Sequence, residues 1–299
     1  MIDPKLFSLL EVYETGNFSK AAQKLSITQP AVSQHIKALE EELGIKIFDR
    51  ANGKILFTEQ GKKVVNCARK IIGMYNLMRQ EVSDSVMQTE HLTIGITHTA
   101  ESNPIAEALA NYCMENEGVN IKMITDTISN LYKKLSSYEL DIIIAEGRKN
   151  DASVKYLLLD TDYLVLAVSP EHRFAQKSLV TLNELKQERL ILRLPSSGTT
   201  NLFVSHLESN NMDIGEFNVI LELDNVATIK DLIRRNFGVS ILPKSVCLDE
   251  LKKKKLKVLS VENLSMMREI NIGFRSDFSQ TDILHGIVES YNATVRKYT

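Results

Sequence analysis

The chain has 299 residues, 43% of them hydrophobic and 25% charged, with a formal net charge of −2 at pH 7. These globular values suffice for two domains of roughly 100–200 residues each, and no run approaches the ~18 consecutive apolar residues of a membrane span. The near-neutral total hides an asymmetry: Lys20 to Lys70 carries ten Lys or Arg against five acids, a local basic surface compatible with nucleic acid at one end of the chain.

The opening residues, Met1-Ile2-Asp3-Pro4-Lys5, lack the charged region, apolar core and cleavage site of a signal peptide, so a cytoplasmic location is expected. From Asp3 or Pro4 a helical pattern sets Leu6, Leu9, Leu10 and Tyr13 on one face, and Gly16-Asn17 stops it. A short second helix follows around Ala21, Ala22 and Leu25, and Ser26-Ile27 leaves room only for a tight turn. Thr28 can cap a third helix with Pro30 in its first turn, where the missing N–H costs nothing, and Gly44 closes it. Within it Val32, Ile36, Leu39 and Leu43 form one core-facing stripe, while Pro30, Ser33, Gln34 and Lys37 fall on the opposite side. Those polar side chains occupy the N-terminal half that helix-turn-helix proteins place in the major groove. Glu40, Glu41 and Glu42 lie beyond them, so only the first half of the helix is expected to enter. Asn52-Gly53 is suited to a two-residue hairpin. A lone hairpin reads as solvated surface, but beside a helix-turn-helix it reads as a wing, with Arg50 and Lys54 near the tip able to reach phosphate or the minor groove.

The stretch from Phe18-Ser19-Lys20-Ala21-Ala22 through Thr28-Gln29-Pro30-Ala31-Val32-Ser33-Gln34 to Glu42-Leu43-Gly44, continuing to Phe48 and Arg50, closely resembles the DNA-binding motif of LysR-type transcriptional regulators. The resemblance implies a sequence-specific regulator in which Thr28, Gln29, Pro30, Ser33, Gln34 and Lys37 meet double-stranded operator DNA, with Arg50 and Lys54 in the wing. Gln34 departs from the arginine frequent there; glutamine suits adenine and arginine guanine.

Thr58 caps a run to about Met87 in which Val64, Ala68, Ile71, Tyr75, Met78 and Val82 alternate four and three apart, a heptad seam that calls for a partner helix. Packing on the chain's own second domain is the alternative. In the family this segment resembles the linker helix through which subunits dimerise. A homodimer is expected, with a homotetramer and a contact with RNA polymerase as further steps.

From Leu92 onward short β-rich runs alternate with helices, predicting a parallel sheet with covering helices. Strands are expected over 92–96, 119–124, 141–145, 163–168, 190–194, 217–223, 238–242 and 269–275. Eight strands exceed one small half, so two α/β lobes are expected, and the resemblance to LysR-type regulators implies the same, an α/β effector domain of two lobes similar to periplasmic binding proteins. An all-α winged helix-turn-helix and a long linker helix precede it. The corresponding boundaries are 1–58 for the DNA-binding domain, 59–88 for the linker and 91–299 for the effector domain. Lobe one takes 91–160 and 268–299, lobe two takes 161–267, and the chain crosses near Thr161 and Met267.

Ligands bind beyond the carboxyl ends of parallel strands, where helix N-termini offer N–H groups. That rule selects Thr97, His98 and Thr99, then Glu146, then the hydroxyl-rich Ser196, Ser197 and Thr199, then Asn225 as candidates for a small, anionic effector. For the hydroxyl cluster, several short donors at a helix start form a good anion or carboxylate site, with simple N-capping as the alternative. Thr97-His98-Thr99 is also similar to the loop of the family's sulfur-assimilation branch, which would make the ligand sulfate, thiosulfate or O-acetylserine.

Ser196-Ser197-Gly198 lacks the nucleophile-elbow glycine, the six histidines are isolated, and no dinucleotide or P-loop motif follows a strand, so neither an enzyme nor a cofactor or metal is expected. Cys67, Cys113 and Cys247 are odd in number and widely spaced, and read as buried free thiols. A ligand-independent or thiol-responsive regulator is the alternative function, with a small-molecule-binding enzyme last.

Overall fold

The computed structural model describes residues 2–51, 54–98, 100 and 103–298, with the side chains of Arg50, Ala51, Lys54 and Asn103 left out. The Asn52-Gly53 turn, Thr99 and Glu101, together with the side chains of Arg50 and Lys54, therefore lie outside the described residues. By contacts the chain divides into two compact units, residues 1–91 with 133–140, and residues 92–132 with 141–299.

The first unit opens with α1 (Pro4–Thr15), α2 (Phe18–Leu25) and α3 (Gln29–Leu43). Asp3 caps α1 by accepting from the Lys5 N–H, and Gly16 ends it in the left-handed region at φ 61°. Asn17 caps α2, its side chain accepting from the Lys20 N–H. The turn between α2 and α3 closes when the Ile27 N–H donates to the Ala22 carbonyl at 3.0 Å. Thr28 then caps α3 through the Ala31 N–H. Val32, Ile36 and Leu39 are buried as the stripe required, but Leu43 is 47% exposed, because the last turn of α3 runs past the core. The hairpin β1 (Phe48–Ala51) and β2 (Lys54–Phe57) pairs antiparallel in the register Ala51↔Lys54. Edge-to-face contacts of Phe48 with Phe18 and Phe57, and of Phe57 with Tyr13, pin it to α1 and α2. The helix α4 (Glu59–Met87) follows, capped by Thr58.

The second unit is α/β. Its elements are β3 (Glu90–Thr97), whose first two residues cluster with the first unit, α5 (Asn103–Glu115), β4 (Val119–Asp126), α6 (Ile128–Ser136), whose last four residues cluster with the first unit, β5 (Ile142–Glu146), β6 (Val154–Val168), β7 (Leu179–Val180) and α7 (Leu182–Leu185). Then come β8 (Leu190–Arg193), α8 (Gly198–Ser209), β9 (Val219–Leu223), α9 (Val226–Arg234), β10 (Ser240–Pro243), α10 (Leu248–Lys252), β11 (Lys257–Val261), β12 (Met267–Arg275) and α11 (Thr281–Val295). The main sheet runs β4-β3-β5-β12-β6-β11-β7, with β10 also on β6, while β8 and β9 form a separate parallel pair.

A parallel sheet is thus only part of the result. The pairs β3/β5 and β8/β9 are parallel, but β12 runs antiparallel to both β5 and β6, and β10 and β11 run antiparallel to β6. The reason is β6, a 15-residue strand whose first part pairs with β12 and whose last part pairs with β10 and β11. A strand that passes from one core to another has to be matched by a returning strand in the opposite direction. The alternation in Val154–Asp162 and the run Lys257–Val261 escaped notice in the sequence, because polar residues interrupt both.

The cores segregate accordingly. Leu92, Ile94, Ile105, Ile142, Ile272, Leu284 and their neighbours fill one, drawn from residues 92–159 and 270–291. Leu166, Phe174, Leu190, Phe203, Ile241 and Leu259 lead a second, drawn from 164–266. Ile191, Ile229, Ile233 and Leu242 form a third on the opposite face of the same strands.

Candidate functional site

On α3 burial and exposure divide the helix lengthwise. Its inner stripe joins the core with Leu9, Ala21 and Ala22, while Thr28, Gln29, Pro30, Gln34 and Lys37 are exposed and Ser33 is half-buried. The Gln29 amide donates to the Ser33 hydroxyl at 2.8 Å, leaving Gln34 and Lys37 to project into solvent. His35 lies one position round the helix and bonds the buried Ser8 hydroxyl at 2.7 Å, which fixes it as a packing residue.

The acids beyond Lys37 are not free charges. Glu40 accepts from the Ile47 N–H at 2.8 Å and pairs with Lys46 at 3.2 Å, Glu41 lies 3.5 Å from Lys37, and Glu42 lies 2.6 Å from Lys5. Each is partnered by a cation, so the repulsion that a run of three glutamates would offer a phosphate is largely offset.

Along α4 the seam divides. Ala68 is buried and Val64 packs beside it in the core of the helix-turn-helix, together with Val65. Further on Ile71, Met78 and Val82 are 51%, 49% and 62% exposed, and Tyr75 is half-buried. Met74 and Val86, which the heptad reading passed over, extend the same exposed apolar stripe.

In the α/β unit, Thr97 ends β3 and Glu146 ends β5, and the Thr97 hydroxyl donates to Glu146 at 2.7 Å. Glu146 in turn holds Arg268 at 3.0 Å, and Arg268 reaches Asp162 at 3.1 Å. Asp162 accepts from the Ser245 hydroxyl at 2.7 Å and from the Tyr163 N–H at 2.9 Å. This buried chain joins the carboxyl ends of β3 and β5 to the crossing strands β6 and β12, and from there to the segment after β10. His98 is an exposed turn residue.

The hydroxyl cluster splits by role. Ser197 caps α8 by accepting from the Thr200 N–H, Thr200 donates to the Arg193 carbonyl at 2.8 Å, and Ser196 is exposed. Thr199 is 1% exposed. Asn225 caps α9 through the Thr228 N–H. N-capping therefore accounts for Ser197 and Asn225, while Thr199 remains unexplained by it.

Sequence reasoning missed Arg193, Asp162 and Arg268. Arg193 carried a signal, a charged residue ending the apolar strand Leu190-Ile191-Leu192. Asp162 and Arg268 carried none, because they are 106 residues apart and meet only through strand pairing.

Two family descriptions cover almost all of this architecture. Residues 5–62 match the bacterial regulatory helix-turn-helix protein, lysR family, and residues 87–292 match the LysR substrate binding domain. The chain belongs to the LysR family. A "Probable RuBisCO transcriptional regulator" of Thalassiosira pseudonana is 27% identical over 262 residues, covering 86% of this chain and 85% of that one. Among solved structures, full-length CbnR complexed with its target DNA aligns over 98% of this chain and 100% of its own at 18% identity and a TM-score of 0.67. A full-length OxyR variant from Pseudomonas aeruginosa aligns over 98% and 95% at 20% identity and a TM-score of 0.66.

This LysR-type protein is accordingly a DNA-binding transcriptional regulator with a helix-turn-helix and an effector-binding domain, and not an enzyme. No described helix is long and apolar enough to cross a membrane. The cysteines differ from the expectation of three buried thiols: Cys67 is exposed on α4, one position round from the buried Ala68, Cys113 is half-buried, and Cys247 is buried. Burial pushes the Cys247 thiol up to about 12, so it stays protonated and unreactive at neutral pH. Iodoacetamide should label Cys67 in the native regulator and leave Cys247 untouched until the protein is denatured. Mass spectrometry of tryptic peptides reads both sites, and native labelling of Cys247 would contradict its burial.

Proposed function

We propose that this regulator reads its operator with the N-terminal half of α3, where Thr28, Gln29, Pro30, Ser33, Gln34 and Lys37 enter the major groove. Arg50 and Lys54 of the wing hold phosphate or the adjacent minor groove. The observation that carries this reading is the lengthwise division of α3, which turns a polar, partly cationic strip outward from a helix anchored by Val32, Ile36 and Leu39. Dimerisation through the exposed stripe of α4, with Ile71, Tyr75, Met78 and Val82 at its centre, would present two such helices to two half-sites. A tetramer and a contact with RNA polymerase belong to the same reading, as does a place in the cytoplasm.

The effector domain supplies the switch. Lobe one comprises residues 91–160 and 268–299 and lobe two residues 161–267, and a small anionic effector sits between them, held by Thr97, His98, Thr99, Glu146, Ser196, Ser197, Thr199 and Asn225. Its binding shifts the population between two lobe arrangements and so alters how dimers meet DNA.

Operator selection on Gln34→Arg tests the DNA reading. The variant should exchange adenine for guanine at one position, a discrimination of about 1–3 kcal/mol, whereas Lys37→Ala should weaken all sequences alike and lower the salt slope by about one. An unchanged preference in Gln34→Arg would remove that residue from the groove.

A further inference from the structure

We infer that Arg193 is the anion-recognition residue of the effector site and that the effector is a small carboxylic acid whose carboxylate replaces that of Asp224 on this guanidinium. The inference rests on the effector-cleft reading above and adds a residue and a ligand class to it.

Arg193 ends β8, is 2% exposed, and forms an ion pair from Nη2 to the Asp224 carboxylate at 2.9 Å. Among the described residues its buried Nε and Nη1 have no hydrogen-bond partner, and neither has the buried Thr199 hydroxyl. A guanidinium carries five N–H donors, and burying it with a single prong engaged is unfavourable unless a ligand completes the set. Nε and Nη1 flank Nη2 on either side, so a carboxylate that takes Nη2 together with one of them gains the two-pronged geometry that Asp224 does not use.

The position adds to the argument. Asp224 directly precedes Asn225, the cap of α9, and the Arg193 carbonyl is tied to the first turn of α8 through Thr200. Both helices, of 9 and 12 residues, begin here, and helix N-termini carry partial positive charge. A buried cation beside two such ends is electrostatically out of place unless an anion accompanies it. Asp224 meets that need only in part, since its side chain is 59% exposed and free to be exchanged. At the ends of β3 and β5, Thr97 and Glu146 are already bonded within the chain of Arg268 and Asp162, which leaves Arg193 as the better-placed cation for an incoming acid.

The test is thermal unfolding of the full-length protein with acetate, lactate and succinate, and with sulfate, at constant ionic strength against chloride. It is run on the wild type, Arg193→Met and Asp224→Asn, with circular dichroism checking each fold. At least one carboxylate should stabilise the wild type, bind about tenfold more tightly to Asp224→Asn once the internal competitor is gone, and lose its effect in Arg193→Met. Because Asp224 is exposed, its variant keeps the test open even if Arg193→Met folds poorly. A carboxylate that stabilises all three equally would overturn the role of Arg193 while leaving the cleft reading intact. Stabilisation by sulfate alone would overturn the ligand class. Silence from every anion in every variant would overturn this inference and the anionic cleft reading together, and operator selection on the Gln34 variant would still judge the DNA reading separately.

Discussion

Replacing Arg268 with methionine is expected to destabilise the effector domain by about 3–5 kcal/mol, the usual cost of removing one partner of a buried ion pair. Asp162 is 4% and Glu146 14% exposed at the side chain, so neither carboxylate can recover its lost cation by turning to water. For a domain of this size the loss corresponds to roughly 10 °C or more in melting temperature. The double variant Glu146→Gln/Arg268→Met should recover part of the loss, because the first change removes a charge that the second would leave stranded. Thermal melts of the four proteins close the cycle. A single-variant loss below about 1 kcal/mol would mean that the chain from Thr97 to Ser245 is not the clasp between the two cores that its geometry describes.

The second large effect concerns the junction between wing and linker. Gly61 is buried in the first turn of α4, and a Cβ built there would stand 1.9 Å from the Ile47 carbonyl oxygen. That same oxygen accepts from the Thr58 N–H at 3.0 Å and from the Thr58 hydroxyl at 3.2 Å, while the Thr58 hydroxyl caps α4 at the Gly61 N–H, 2.9 Å away. Backbone cannot swing aside as a flexible side chain would. Gly61→Ala therefore has to break the cap or push the segment leading into β1 away from α4, at a cost of about 1–3 kcal/mol or more. Because β1 leads to the wing, operator affinity should fall with stability, whereas Gly198→Ala, where no atom lies within 4 Å of the added carbon, serves as a fold-neutral control. Equal melting and equal affinity for wild type and Gly61→Ala would show that the junction yields without cost.

The local elements were legible in the residues. Caps, stops and a 3.6-residue apolar period determined α1, α3 and α4, because each depends on neighbours within one or two turns: Asp3, Thr28 and Thr58 at the starts, Gly16 and Gly44 at the ends. The motif from Phe18 to Gly44 likewise carried the family, since a helix-turn-helix is contiguous in sequence. In the effector domain, local patterning found most strands but not their directions, and it selected the loop residues Thr97, Glu146, Ser197 and Asn225 without saying what they would bond. Tertiary structure alone decided those points. Asp162 and Arg268 became partners because β6 and β12 pair antiparallel where the chain crosses between cores. Arg193 became a buried cation because β8 and β9 bring it to Asp224, 31 residues away. The physical reason is range: capping and periodicity act over a few residues, whereas burial and charge pairing depend on which distant segments the sheet sets side by side.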